Sequence, residues 1–247
     1  MVLKTSLNYS PNFNIIKRAK KHIKFIIFHY TGMKKESDAI RRLTEIQSEV
    51  SSHYFIKNNG EIINMVPDLY IAWHAGRSTW KNYKSLNKDS IGIEISNPGH
   101  SYNYEKFSKK QINSLHKLTR HLIKKYRVNA QNILGHSDIA PDRKKDPGEK
   151  FPWKNLAKYK IGLWHDLKDA ILKKNRSIEI SNLEKIFFLN NINKIGYSKQ
   201  IPKNLRKSKF QQFITKAFQR RFRQELIDGK IDKECLLISQ SLLKKFK

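Results

Sequence analysis

Five short apolar runs, at residues 23–28, 53–57, 61–66, 91–95 and 132–134, alternate along the first part of the chain with stretches whose apolar residues recur at helical spacing. That alternation dictates an α/β layout, because strands buried on both faces need helices to cover them. The first and fourth runs are nearly unbroken and rich in isoleucine, which suits central strands. Lys57-Asn58-Asn59-Gly60-Glu61 separates the second run from the third, and Asn-Gly there supplies the positive φ of a hairpin turn. The spacing predicts a helix over 38–50 capped by Ser37, with Ile40, Leu43, Ile46 and Val50 on one face. A longer helix is predicted from a Ser108 cap to about Tyr126, and a third over 156–173.

Lys173-Lys174-Asn175-Arg176-Ser177 is a charged, polar break. Beyond it the pattern is helical only, over 180–189, 209–222 and 233–246, with a tight turn at Asp228-Gly229-Lys230-Ile231-Asp232. The expectation is an α/β domain over 1–172 and a small all-α domain over 177–247. Such a helical unit of ~70 residues lies near the lower size for an autonomous core. On this reading, a chain cut before residue 177 keeps a folded and active first domain.

Lys and Arg number 50 against 21 Asp and Glu, a formal charge of +29. That invites a nucleic-acid reading. Arginine supplies only 12 of the 50, however, and groove readers favour its bidentate fork. No nucleic acid is therefore expected, and the charge reads as a solvated cationic surface that could meet anionic substrates. The single cysteine, Cys235, lies in an apolar stretch and reads as a small buried hydrophobe. The N-terminal residues lack a basic region followed by a long apolar one, and no stretch is long enough to span a membrane. The expected location is the cytoplasm, or the periplasm if a targeting segment precedes this sequence.

The chemistry-bearing segment is Gly135-His136-Ser137-Asp138-Ile139-Ala140-Pro141-Asp142-Arg143-Lys144-Lys145-Asp146-Pro147-Gly148. Its prolines and terminal glycine make it a loop that folds back, able to bring His136 and Asp146 to one point. An imidazole and a carboxylate together suit zinc. His29 ends another apolar run that can lie beside the first. Each of the three alone reads as an ordinary structural residue; together they make a ligand set. Glu94 interrupts Ser90-Ile91-Gly92-Ile93-Glu94-Ile95, so it either faces solvent or serves as a semi-buried general base. Gly92 in mid-strand predicts close approach by another group. Lys144, two residues before Asp146, is either a surface lysine or a fixed cation for an oxyanion. Ala72-Trp73-His74-Ala75-Gly76, followed by Arg77, fits a groove wall or a core tryptophan. His53 either lines the same site or is structural.

Phe28-His29-Tyr30-Thr31 and residues 51–56, 72–76, 90–97 and 135–153 together resemble the type-2 N-acetylmuramoyl-L-alanine amidases, the zinc peptidoglycan amidase family that includes the peptidoglycan-recognition proteins. The match runs in order over roughly residues 20–160. It is strongest to the Gram-negative 1,6-anhydro-muropeptide amidases. Residues 209–243 resemble the helical peptidoglycan-binding-type module of one subgroup, a shorter and less specific match. The resemblance implies a central mixed β-sheet flanked by helices, and one zinc ion per chain held by His29, His136 and Asp146. It implies catalysis by Glu94 and Lys144, and substrate contacts from Trp73, His74, Arg77 and His53. Several relatives carry a catalytic tyrosine immediately before the histidine of the His53 segment; here Ser52 stands there, which leaves Glu94 as the base. The implied reaction is hydrolysis of the amide between N-acetylmuramic acid and L-alanine of the peptidoglycan stem peptide, in wall turnover or recycling. The implied partners are muropeptides and anhydro-muropeptides, with intact peptidoglycan as a further substrate. The competing reading is a non-catalytic muropeptide receptor.

Overall fold

The computed structural model describes residues 3–246. Its strands, in chain order, are β1 (Ser6–Leu7), β2 (Phe13–Asn14), β3 (Phe25–Tyr30), β4 (Tyr54–Ile56), β5 (Ile62–Asn64), β6 (Ile71–Ala72), β7 (Thr79–Trp80), β8 (Tyr83–Lys84), β9 (Ser90–Ile95) and β10 (Ile133–Gly135). Six of them make the central sheet, in the order β1-β5-β4-β9-β3-β10. Within it β4 and β5 pair antiparallel and the other neighbours pair parallel, so the sheet is mixed. The antiparallel pair is the expected hairpin, with Gly60 at φ 88 in its turn. The two β-branched runs are indeed central neighbours, β9 and β3.

The helices are α1 (Glu36–Thr44), α2 (Lys109–Tyr126), α3 (His136–Ile139), α4 (Trp153–Ala157), α5 (Asp169–Asn175), α6 (Asn182–Ile195), α7 (Lys207–Phe222) and α8 (Lys233–Leu243). Helix α2 starts as expected: Ser108 Oγ accepts from the Gln111 N–H while Gln111 Oε1 accepts from the Ser108 N–H. Helix α1 differs from the expectation. It begins at Glu36 without a Ser37 cap and ends at Thr44, and a separate 3₁₀ turn over Ile46–Ser48 leaves Ile46 62% exposed. The helix expected over 156–173 is two short helices. Between them Gly162 turns at φ 77, where the Trp153 ring packs so closely that a Cβ would sit 2.9 Å from it.

Alternation along the strands sends side chains to two faces. One face carries Ile26, Phe28, Ile91, Ile93 and Ile95, packed with Leu115, Leu118 and Leu122 of α2. The opposite face is covered in two separate patches. Helix α1 lays Ala39 and Leu43 over Phe55, Ile63 and Met65. Phe25, Ile27 and Leu134 share a core with Phe188, Ile192, Phe218 and Ile238 of the C-terminal helices. His29 and Glu94 lie on this second face by the same alternation.

The core thus crosses the break at 173–177. Arg221 of α7 is ion-paired with buried Asp138, donates to the Ile133 carbonyl at 3.0 Å, and stacks on Trp153 at 4.2 Å. Tyr197 donates to the other oxygen of Asp138 at 2.6 Å. A fragment lacking 177–247 exposes the Phe25–Ile27–Leu134 face and strands a buried carboxylate, and losing one partner of a buried pair alone costs about 3–5 kcal/mol. The expected outcome for residues 1–176 is aggregation or a large drop in melting temperature. A truncated chain that melts with the full-length protein would contradict this shared core. No helix among the described residues is long and apolar enough to cross a membrane.

Candidate metal centre

Strands β3, β9 and β10 run parallel, so their carboxyl ends reach the same edge of the sheet, where open α/β sheets place their functional groups. The register sets His29 beside Glu94 and Phe28 beside Gly135. His136, one step past Gly135, therefore emerges next to His29. Asp146 returns to the same point because the loop after α3 folds back onto it: the Ser137 N–H donates to the Asp146 carbonyl at 2.8 Å. Beyond it Tyr104 donates to the Pro147 carbonyl at 2.7 Å. Gly148, at φ 87, lets that tyrosine in, since a Cβ there would lie 2.4 Å from its oxygen.

Three ligand atoms meet in this corner. His29 Nδ1 lies 2.9 Å from His136 Nδ1 and 3.1 Å from Asp146 Oδ2, and His136 Nδ1 lies 3.0 Å from the same oxygen. All three side chains are buried. His136 Nε2 lies 3.2 Å from the Ala75 carbonyl and 3.4 Å from Arg143 Nη2, while its Nδ1 faces the cluster. Burial is the largest influence on His29 and lowers its pKa to about 4, with the neighbouring His136 adding to the effect. Burial pushes the Asp146 carboxyl up, but contacts with His136 and His29 outweigh it and hold the carboxyl well below the usual range. At neutral pH the corner offers an uncharged His29 imidazole and an ionised carboxylate, a donor set that fits a divalent cation and suits zinc.

Glu94 and Lys144 line the same cleft, a cavity of about 430 Å³. Glu94 Oε2 is buried without a hydrogen-bond partner. Burial first, and then the charge of Asp146, push its pKa up to about 8, with Lys144 opposing. A carboxyl whose folded pKa exceeds its unfolded value binds more protons when folded, so it favours folding below about pH 4.5 and loses that contribution as pH rises to about 8. The melting temperature of metal-free Glu94→Gln protein is therefore expected to gain on metal-free wild type across this window. A constant difference would mean that Glu94 titrates normally.

The structure brings His29, Glu94, His136, Asp146, Lys144, Trp73 and His74 together around the cleft. It does not bring two of the expected substrate-contacting residues there. His53 is fully buried, accepting the Gly92 N–H at Nδ1 (3.0 Å) with Nε2 3.1 Å from the Tyr70 carbonyl, and is absent from the cleft wall. Arg77 points outward to pair with Asp142. Trp73 lines the cleft and donates from Nε1 to Asn14 at 2.8 Å.

Other cleft residues carried no sequence signal. His100 links Tyr30 (2.8 Å) to Glu149 (3.0 Å) at the rim, and only folding of the Pro98-Gly99 turn puts it there. Arg143 donates to the Ala75 and Arg77 carbonyls from within a run of basic residues that hid it.

Comparison with known proteins is consistent with this geometry. Residues 19–149 match the family model described as N-acetylmuramoyl-L-alanine amidase. The chain is 34% identical over 240 residues to the N-acetylmuramoyl-L-alanine amidase AmiD of Escherichia coli K12, covering 92% of this chain and 85% of that protein. It is similar in structure to AmiD from E. coli in complex with the substrate anhydro-N-acetylmuramic acid-L-Ala-D-γ-Glu-L-Lys (TM-score 0.80, 33% identity, 94% of this chain and 93% of that one). It is also similar to AmpDH3 from Pseudomonas aeruginosa in complex with anhydromuramic pentapeptide (TM-score 0.78, 30% identity, 96% and 97%).

Proposed function

The chain belongs to the N-acetylmuramoyl-L-alanine amidase family, and from that premise we propose that His29, His136 and Asp146 hold one zinc ion at the centre of a hydrolase for 1,6-anhydro-muropeptides. The bond cut is the amide between the muramic acid lactyl group and L-alanine of the stem peptide. One observation carries the reading: three mutually adjacent ligand atoms converge in a cleft that also holds a buried carboxylate oxygen with no partner. Zinc bound there supplies Lewis-acid polarisation and acidifies a water molecule.

The chain's own groups do the rest. Glu94 Oε2 is unpartnered in the cleft; a divalent cation held by the three ligands would favour its ionised form, in which it takes a proton from the attacking water and then returns it to the departing alanine nitrogen. Lys144 places a cation in the same cleft, where negative charge develops on the carbonyl oxygen. Trp73 gives the wall an apolar surface. Anhydromuramic peptides bound to AmiD and AmpDH3 support the same ligand class here. Stem-peptide carboxylates meet a chain of formal charge +29, which speeds encounter at low salt. Within this proposal residues 177–247 are a peptidoglycan-binding-like part that shares its core with the first.

Mass analysis of products from anhydro-muropeptides and from intact sacculi, with and without chelator, tests the proposal. Free stem peptide that disappears with chelator and returns with zinc is the expected result. A zinc-loaded chain that binds muropeptide and leaves it uncut would favour a receptor instead.

A further inference from the structure

Gly92 lies in the middle of a central strand, and its missing side chain is occupied by something specific. A Cβ there would fall 2.4 Å from Cγ and 2.6 Å from Nδ1 of His74. The His74 ring thus lies against the strand, between the two histidines His53 and His29, at centroid distances of 5.6 and 5.1 Å. The segment before β7 is anchored there by Asn87 Oδ1, which accepts the backbone N–H groups of His74 (3.2 Å) and Ala75 (2.7 Å).

The direction of every proton in this row can be worked out from one end. Ser90 Oγ lies 2.6 Å from the Leu86 carbonyl, which only accepts, so the hydroxyl proton is spent there. Toward His74 Nε2, at 3.2 Å, Ser90 Oγ is left as an acceptor, so His74 carries its proton on Nε2. His74 Nδ1 is then a bare lone pair, 3.0 Å from His29 Nε2. His29 must donate from Nε2, which leaves its Nδ1 unprotonated and facing His136 and Asp146.

We infer that His74 is a positioning residue, which through the row Leu86–Ser90–His74 fixes the Nε2–H tautomer and ring orientation of His29 and so presents Nδ1 to the cation. The next residue faces the other imidazole, with the Ala75 carbonyl 3.2 Å from His136 Nε2. His74 acts on His29 and not on substrate. Outer partners of this kind change metal affinity by about 10–100-fold when removed. The inference rests on the proposed zinc site for its consequence, but its geometry is testable without metal.

The experiment has two arms. Nitrogen-15 NMR of histidine-labelled, metal-free full-length protein is expected to show His74 protonated at Nε2 and bare at Nδ1, and His29 protonated at Nε2. Chelator competition is expected to show zinc binding about 10–100-fold weaker in His74→Phe, which keeps a ring over Gly92 but offers no acceptor. His74→Asn, whose carbonyl oxygen can stand where Nδ1 stood, should recover much of that loss, which a purely structural role would not explain. Ser90→Ala, which leaves the His74 ring in place and frees its tautomer, should lose a smaller part and guards against a misfolded His74→Phe. His29 without a proton at Nε2 in the wild type, or equal zinc affinity in wild type, His74→Phe and Ser90→Ala, overturns the inference. Failure of the wild type to bind zinc would sink the metal reading alone, because the tautomer arm still decides the row.

Discussion

Purified Glu94→Gln protein will carry one zinc per chain yet turn over muropeptide about 10²–10⁴ times more slowly, the usual share of general acid–base catalysis. Glutamine keeps the volume and one carbonyl oxygen of the side chain, so the packing of β9 against β3 and β4 is undisturbed. What it removes is the ability to take up a proton at the unpartnered Oε2. Glu94 stands outside the three-residue ligand cluster, which is why metal content should hold. The loss should fall on kcat and not on KM. Near-normal turnover in a zinc-loaded variant would take Glu94 out of the reaction. Loss of zinc would make it a ligand instead.

Asp146→Ala is expected to do the opposite, losing metal and activity together. Asp146 is the carboxylate of the cluster and touches both histidines. Zinc sites supply about 10–16 kcal/mol, so one ligand's share is roughly 10²–10³ in affinity. Titration against a chelator reads this directly, and excess zinc should restore part of the activity if the remaining imidazoles still hold the ion. An Asp146→Ala protein with unaltered zinc affinity would remove the carboxylate from the ligand set. The two variants together separate holding the ion from moving the proton.

Much of the centre was legible because its positions obey local rules. His29 and Glu94 sit on regular, alternating strands, and parallel neighbours in register put them side by side. Asp146 was legible because a loop bounded by prolines and glycine has to fold back. Gly92 announced a close neighbour without saying which one, since nothing local in the sequence links it to His74, eighteen positions earlier in the chain's own numbering. His53 and Arg77 were expected near the substrate from the family resemblance, with a structural role for His53 as the alternative. Folding buries the first between Gly92 and Tyr70 and turns the second toward Asp142. The charged break at 173–177 marks a change of composition, but the shared core depends on Arg221 meeting Asp138, 83 residues apart, and no local pattern encodes that. The early end of α1 likewise depends on a 3₁₀ turn and the left-handed Glu49, where apolar spacing alone continued the helix.

The most direct measurement is a zinc-edge anomalous difference map from crystals of the full chain loaded with one equivalent of zinc. The expected result is one peak bonded to Nδ1 of His29, Nδ1 of His136 and a carboxylate oxygen of Asp146 at about 2.0–2.2 Å, with no fourth protein ligand. A peak bonded to other residues, or a loaded protein in which these three side chains share no ion, would contradict it.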